Sequence, residues 1–307
     1  MEMKEKKPKV SVCVVTYNQE KYIRQCLQSI VDQKTDFDFE VIVSDDCSPD
    51  GTQAVVQEFA KNYPGVIKTY FHSRNINAFK NFLFVHGKAQ GEYVAHIDGD
   101  DYMLPGKLQS QVGHLDNNAD ISFAVHAVNI IDSEKIIGND EKYPQKGSIY
   151  DLLRLGTYFV NSSVMYRRSY EFLHPDDIEI VDYYLHIERA SKGGIYLDRR
   201  SFGCYRIHDQ GISKNLEYRK RIEKCYEHAF DRALALGISQ VAVESARLTR
   251  RMSFAIASYL SGDVDGYKQK IKLRNDEIKL ASIKHKILHW TRYFPGLISI
   301  YMKFRSA

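Results

Sequence analysis

Residues 91–102 read Gly-Glu-Tyr-Val-Ala-His-Ile-Asp-Gly-Asp-Asp-Tyr, an apolar run at Tyr93–Ile97 that ends abruptly in the acidic turn Asp98-Gly99-Asp100-Asp101. A short β-rich run bounded by turn-forming residues predicts a strand. The same grammar recurs toward the N-terminus. Val10-Ser-Val-Cys-Val-Val15 predicts a strand entering the polar loop Thr16-Tyr17-Asn18. Phe39-Glu-Val-Ile-Val43 predicts another, entering Ser44-Asp45-Asp46-Cys47-Ser48-Pro49-Asp50-Gly51-Thr52. Between them, Tyr22, Ile23, Cys26, Leu27 and Ile30 recur at helical spacing. A second helix carries Val55, Val56, Phe59 and Ala60, residues 66–71 predict a third strand, and residues 78–90 a third helix. Strands alternating with helices imply βαβ units around a mostly parallel sheet. In such sheets ligands lie beyond the carboxyl ends of the strands. Asp45-Asp46 and Asp98–Asp101 each follow a strand directly, so both are expected on one rim.

Toward the C-terminus the pattern predicts a strand at 121–131, a loop at 132–147, a helix at 149–155, a helix at 182–192, and strands at Ile195–Leu197 and Phe202–Ile207. From about residue 215 it is helical, with candidates at 216–236, 239–261 and 263–281, and the boundary is placed near 213. The charge divides there as well. Residues 214–307 carry 19 Lys/Arg against 9 Asp/Glu, a balance of +10, which leaves 24 basic and 30 acidic residues, or −6, in residues 1–213. The 44% hydrophobic content supports a sizeable core. No apolar run approaches the ~20 residues of a membrane-spanning helix. The charged opening MEMKEKKPKV leads only into a strand-like run, which is not the pattern of a secretory signal. Five widely spaced cysteines without a Cys-x-x-Cys pair argue against a zinc ribbon or disulfide framework and suit a reducing cytosol.

Val10–Asn18, the segment 43–52 and Gly91–Tyr102 together resemble the nucleotide-sugar half of family 2 glycosyltransferases with the GT-A fold. The similarity continues in order through Val181-Asp182-Tyr-Tyr-Leu-His-Ile-Glu-Arg189 and Cys204-Tyr-Arg-Ile-His208, and so covers roughly residues 8–213. The fold it implies is α/β, a Rossmann-like, mostly parallel sheet flanked by helices, with a C-terminal helical appendage. Residues 1–213 form the transferase domain, with a nucleotide-sugar half at about 8–105 and an acceptor half at about 106–213; residues 214–307 form the helical region with a basic amphipathic tail.

The resemblance also assigns roles. Sugar transfer from a nucleoside diphosphate develops charge on the leaving diphosphate, which a divalent cation, Mn2+ or Mg2+, held by hard oxygen ligands offsets. Asp98 is carried over as a ribose or metal contact and Asp100 as a metal ligand, with Gly99 letting backbone approach the ligand and Asp101 as a helper. Three acids exceed what capping the following helix requires. Thr16, Tyr17, Asn18 and Asp45 are expected to hold the nucleoside, Asp45 accepting from a uracil N3–H and Tyr17 lying near the base. Asp46 and Asp50 are read as turn and cap residues before the helix at Gln53. Lys80 and Asn81 either meet phosphate or ribose or lie on a solvated helix face. Asp182 takes the place of the family's catalytic base, with Val181 standing where a Glu is usual; a helix N-cap is the competing reading, and Asp176, Asp177 and Glu179 are nearby rivals. His208 is expected to complete the metal shell or touch the diphosphate, Arg206 to anchor a phosphate or carboxylate, and Gly211-Ile-Ser213 to suit a mobile lid. Asn161-Ser162-Ser163 either line the acceptor pocket or form a polar strand end.

The implied reaction is inverting, metal-dependent transfer from a nucleotide sugar, a UDP-sugar by expectation, to a glycan or lipid-linked glycan, at the cytoplasmic face of a membrane. The alternatives are a sugar-phosphate nucleotidyltransferase, against which no Gly-rich triphosphate loop appears near the first strand, and an inactive GT-A-like binding protein. No nucleic-acid motif accompanies the basic tail. In residues 283–305 Ile283, Ile287, Trp290, Phe294, Leu297, Ile298 and Tyr301 recur at helical spacing among Lys284, Lys286, Arg292, Lys303 and Arg305. That stripe either lies on an anionic membrane surface, as a peripheral attachment, or packs on the helical bundle or a second subunit.

Overall fold

The run at Val10 forms strand β1 (Val10–Thr16), buried on both faces, as an interior parallel strand must be. It pairs in parallel with β2 (Phe39–Asp45) on one side and β4 (Tyr93–Asp98) on the other, and β2 pairs in parallel with β3 (Ile67–Phe71). Helices α1 (Glu20–Val31), α2 (Thr52–Asn62) and α3 (Ala78–His86) make the crossovers. In α1, Ile23, Cys26, Leu27 and Ile30 are buried at the spacing that the sequence predicted. The computed structural model describes residues 7–170, 181–207 and 216–298.

Past β4, the short antiparallel strand β9 (Met165–Arg167) bridges to β6 (Ile121–Ile130), which pairs in parallel with β10 (Gly194–Tyr205). The order is β3-β2-β1-β4-β9-β6-β10-β5, with β5 (Tyr102–Met103) antiparallel to β10. Two further short strands attach to it, β7 (Ile136–Ile137) on β6 and β8 (Lys146–Gly147) on β10. Because two antiparallel pairings restore direction, the long strands β1–β4, β6 and β10 all point the same way. The sheet is mostly parallel, as predicted, and its carboxyl ends make a single edge.

Side-chain alternation divides the core between the sheet faces. Val10, Val12 and Val14 join Leu27, Val56 and Leu108 beneath α1, α2 and α4 (Lys107–Asp116), whereas Cys13 joins the cluster on the other face. That second cluster gathers α3, α5 (Ile149–Leu155) and α6 (Asp182–Ala190), and extends into α7 (Leu216–Ala235) and the first half of α8 (Gln240–Leu260) through Phe230 and Val243. A third cluster, with Met252, Tyr267, Ile271, Leu288 and Ile298, joins the rest of α8 to α9 (Val264–Ile271) and α10 (Ile283–Trp290).

The structure corrects the sequence reading in four places. The third helix ends at His86, where the Gly87 amide caps Leu83, instead of running to 90. The expected loop at 132–147 contains β7 and β8, which at two residues each carry no periodicity. The two strands expected at 195–197 and 202–207 are one, β10, because Asp198–Ser201 forms an irregularity within it. The helix expected over 263–281 stops at Ile271: Lys272 is extended, and the Leu273 amide donates to His289 Nδ1.

A candidate nucleotide-sugar site

The strand register sets the site. Thr16 lies opposite Asp45, and Val15 opposite Asp98, so three strand ends stand side by side. The acidic turn folds back against the β1 loop. A Cβ at Gly99 would stand 2.5 Å from Gln19 Oε1 and 3.0 Å from Thr16 Cβ, so a side chain there would require the Gln19 side chain to move. Thr16 Oγ1 and Gln19 Oε1 in this notch are buried without a hydrogen-bond partner. Buried oxygens of this kind are ordinarily satisfied.

Asp98 is partly exposed and sits at the end of a buried polar chain. Its Oδ1 lies 3.2 Å from His96 Nε2; His96 Nδ1 lies 3.0 Å from His86 Nε2, and His86 Nδ1 lies 2.9 Å from the Tyr166 hydroxyl. Behind Tyr166 the Arg189 guanidinium stacks at 3.9 Å from the ring centroid. Burial alone would raise the Asp98 pKa, but His96 and then Ser162 hold it below the usual carboxylate range. His86 is pushed well down, by burial first and then by His96 and Arg189. Asp98 is thereby kept ionised, the state a cation or a ribose hydroxyl requires.

Asp101 is buried and serves a different purpose from Asp100. Its Oδ2 accepts from Ser162 Oγ at 2.6 Å and its Oδ1 from the Arg206 amide at 2.9 Å. Burial, then the charges of Asp98 and Asp100, push its pKa well up. Lys107 Nζ, buried beneath the turn, donates to the Ser162 carbonyl at 2.6 Å, and burial lowers its pKa to about 7. The expected helper is thus a brace: Asp101, Ser162 and Lys107 fix the turn that presents Asp98 and Asp100. Asn161–Ser163 form a 3₁₀ turn under the acids. Ser162 also accepts from the Asp98 amide, and so spends its hydroxyl on that turn.

On the nucleoside side, Tyr17 is 46% exposed and Asn18 is left-handed at φ 55°, its amide donating to Ser48 Oγ. Asp45 is fully buried; Oδ1 accepts from the Ser48 amide at 2.9 Å and Gln53 Nε2 at 2.6 Å, and Oδ2 from the Ser48 hydroxyl. It therefore anchors the 45–53 loop. Asp50 caps Thr52 and holds the Glu20 amide at 3.0 Å. Asp46 is buried and accepts from the Ile76 amide, so it ties in the loop before α3 instead of capping α2. Asn81 is buried against Ser44 and His72, and its amide holds α3 to β2 instead of facing a ligand. Lys80 is exposed in the first turn of α3.

Asp182 opens α6 with no side-chain cap at that helix start, so its carboxylate is not spent as an N-cap. Solvent reaches it, yet the surrounding protein, and next the Asp98 charge, raise its pKa above the usual range. Tyr205, at the end of β10, is raised to about 12 by burial and then by the charges of Asp101, Asp98, Asp100 and Asp182. Arg206 is held by the Asp100 carbonyl at 3.0 Å, by Gln25 Oε1 at 2.8 Å and by the Tyr22 ring. His208, Asp176, Asp177, Glu179, Gly211–Ser213 and the boundary at 213 lie outside the described residues. The sequence reading missed His96, His86 and Lys107; the one local signal was the i, i+2 spacing that puts His96 and Asp98 on one strand face.

The profile described as Glycosyl transferase family 2 matches residues 11–172. An uncharacterised protein of Mycobacterium tuberculosis is 34% identical over 210 residues, 66% of this chain and 60% of that protein; the match thus spans about three fifths of the relative's length. Among solved structures, S. aureus TarS 1-349 in complex with UDP-GlcNAc aligns with a TM-score of 0.68 at 18% identity, over 91% of this chain and 83% of that one. The mannosyltransferase PcManGT from Pyrobaculum calidifontis, in complex with GDP-Man and Mn2+, aligns with a TM-score of 0.61 at 16% identity, over 98% and 83%. The fold is the one these structures share.

Proposed function

The chain belongs to glycosyl transferase family 2, with the GT-A fold, and from that premise we propose that it is an inverting, metal-dependent glycosyltransferase acting on a nucleotide sugar. The observation that carries this reading is the braced acidic turn of Asp98 and Asp100 at the carboxyl edge of the sheet, beside the Thr16–Asn18 loop, with the Asp98 charge also felt by Asp182. TarS binds UDP-GlcNAc and PcManGT binds GDP-Man, which supports a nucleoside diphosphate sugar as donor; a UDP-sugar is our choice.

Asp98 and Asp100 fit a divalent cation. Among the described residues no cluster of three or more His, Cys, Asp or Glu side chains forms a closed site. Two carboxylates on a braced turn supply hard oxygen donors of the kind that Mg2+ or Mn2+ takes at phosphate sites, where water and phosphate oxygens complete the shell. When bound, the cation would offset charge on the departing diphosphate. Thr16 and Gln19 offer the notch beside it, and Tyr17 an exposed ring for a base. The outward Lys80 and the anchored Arg206 stand as phosphate contacts, and His208 as a further metal contact. Asp45, by anchoring its loop, shapes the uracil pocket.

Asp182 acts as base. It removes the proton of an acceptor hydroxyl as that oxygen bonds to the anomeric carbon; the bond from that carbon to the diphosphate breaks, its electron pair leaves with the nucleotide, and configuration inverts. A raised pKa suits this task, because a base works best when its pKa approaches the working pH. The acceptor on this reading is a glycan on a lipid carrier, met at the cytoplasmic face of a membrane.

The test is a panel of nucleotide sugars incubated with the chain, Mn2+ and hydroxyl acceptors. Metal-dependent release of the nucleoside diphosphate from one donor supports the reading. Release of pyrophosphate from a sugar phosphate and nucleoside triphosphate would establish the nucleotidyltransferase instead.

A further inference from the structure

Helix α10 has two apolar faces, and only one is used inside the protein. Leu288, with His285 and Thr291, is buried, and the Thr291 hydroxyl bonds to the Tyr267 hydroxyl in the third core cluster. On the opposite side Ile283 is 78% exposed, Ile287 53% and Trp290 66%, at i, i+4 and i+7. Phe294 and Leu297 continue the exposed set at 69% and 48%. Of the stripe that the sequence left between membrane and bundle, these five residues therefore do not pack on the bundle and Ile298 is buried, while Tyr301, Lys303 and Arg305 lie outside the described residues. Contiguous exposed apolar surface of this kind marks an interaction site.

Its charge identifies the partner. Lys284 and Lys286 are exposed, and at 100° per residue they flank the stripe about 90° to either side. Arg292 lies against Tyr293 just beyond. No acid occurs in the sequence after Glu277, and Asp276 and Glu277 are already paired with Arg274 and Arg251. Cations in a ring around an aromatic and aliphatic centre match a leaflet of anionic headgroups over acyl chains, where basic stems reach outward to phosphate and Trp lies at the interface. A nucleic acid would match the ring but leave the centre unfilled. Among the described residues no helix is long and apolar enough to cross a membrane.

We propose that the face formed by Ile283, Ile287, Trp290, Phe294 and Leu297 docks this chain onto an anionic lipid surface, with Lys284 and Lys286 meeting the headgroups. This does not depend on the transferase reading, since it uses no residue of the site.

Trp290 is the only tryptophan in the sequence, so intrinsic emission reports this face alone. The full chain is titrated with vesicles of phosphatidylcholine and of phosphatidylcholine mixed with phosphatidylglycerol. The expected result is a blue shift with the mixed vesicles that salt reverses, and partition about tenfold weaker in Ile287→Ser/Phe294→Ser and in Lys284→Glu/Lys286→Glu. These substitutions are of exposed residues, and an unchanged circular dichroism melt verifies the fold. Emission unmoved by mixed vesicles overturns the proposal. So does a shift equal on both vesicle types, or a concentration-dependent shift without lipid accompanied by sedimentation as a dimer, which would make a second copy the occupant. UDP binding measured alongside separates failure here from failure of the transferase reading.

Discussion

At the scale of single residues, the contrast between Asp98 and Asp182 underlies the proposed chemistry. Asp98 is held low by His96 and Ser162, while Asp182 is held high by its surroundings and by Asp98 itself. Two carboxylates with pKa values driven apart suit two roles, ligand and base. Asp182→Asn is therefore expected to keep UDP binding and lose ~10²-fold or more in turnover, measured as kcat with donor affinity determined separately. The parent should also lose activity as pH falls, because Asp182 is protonated first when its pKa is raised; near-normal turnover of the variant would remove it from the mechanism. Asp98 and Asp100 were legible in the sequence because their turn follows a β-run directly, whereas Asp182, at a helix start, was singled out only by the family resemblance. What braces that turn was not legible. Ser162 lies 61 residues from Asp101, and Arg206 reaches back 106 residues to Asp100, so only the fold brings them together. Asp45 shows the opposite failure: its position was read rightly, but only the structure reveals that its carboxylate is buried and holds its own loop.

At the scale of elements, β10 shows why long strands can read as two. The Asp198-Arg-Arg200 interruption looks like a turn, yet Asp198 accepts from Arg200 Nη2 at 2.6 Å and His114 Nε2 at 2.9 Å, and the strand passes through with a shift in register. Burial alone would raise the Asp198 pKa, but Arg200 and His114 force it far below the ordinary value. The sign follows: a carboxylate with a depressed folded-state pKa stabilises the fold above its unfolded pKa of about 4, and that stability is lost as pH falls further. Asp198→Asn should then cost about 2 kcal/mol in urea unfolding at pH 7, and the gap to the parent should narrow at pH near 3. A gap equal at both pH values would mean that the charge is not what holds the irregularity. By contrast the buried face of α1 was legible, since Ile23, Cys26, Leu27 and Ile30 form a clean amphipathic repeat, whereas α9 ends early because Lys272 and Leu273 turn toward His289, a tertiary contact with no local sign.

At the scale of the whole molecule, parallel strands that end in acids could be recognised before any contact was known, because direction and edge follow from βαβ alternation. The sharing of one core cluster by the sheet, α6, α7 and the start of α8 could not, since periodicity shows that a helix has an apolar face but not what covers it. The acidic part carries Asp45 and the Asp98–Asp101 turn at the sheet's carboxyl edge, and the basic part includes α10 with its outward apolar face. On the proposed reading, a cation held by Asp98 and Asp100 joins the nucleotide to this edge. Isothermal titration of UDP into the full chain, with Mn2+ and with EDTA, is the decisive measurement. Affinity should be at least ~10-fold higher with Mn2+, and that gain should vanish in Asp100→Ala while its thermal unfolding stays unchanged. UDP bound equally tightly in EDTA, or by Asp100→Ala in Mn2+, would contradict the account.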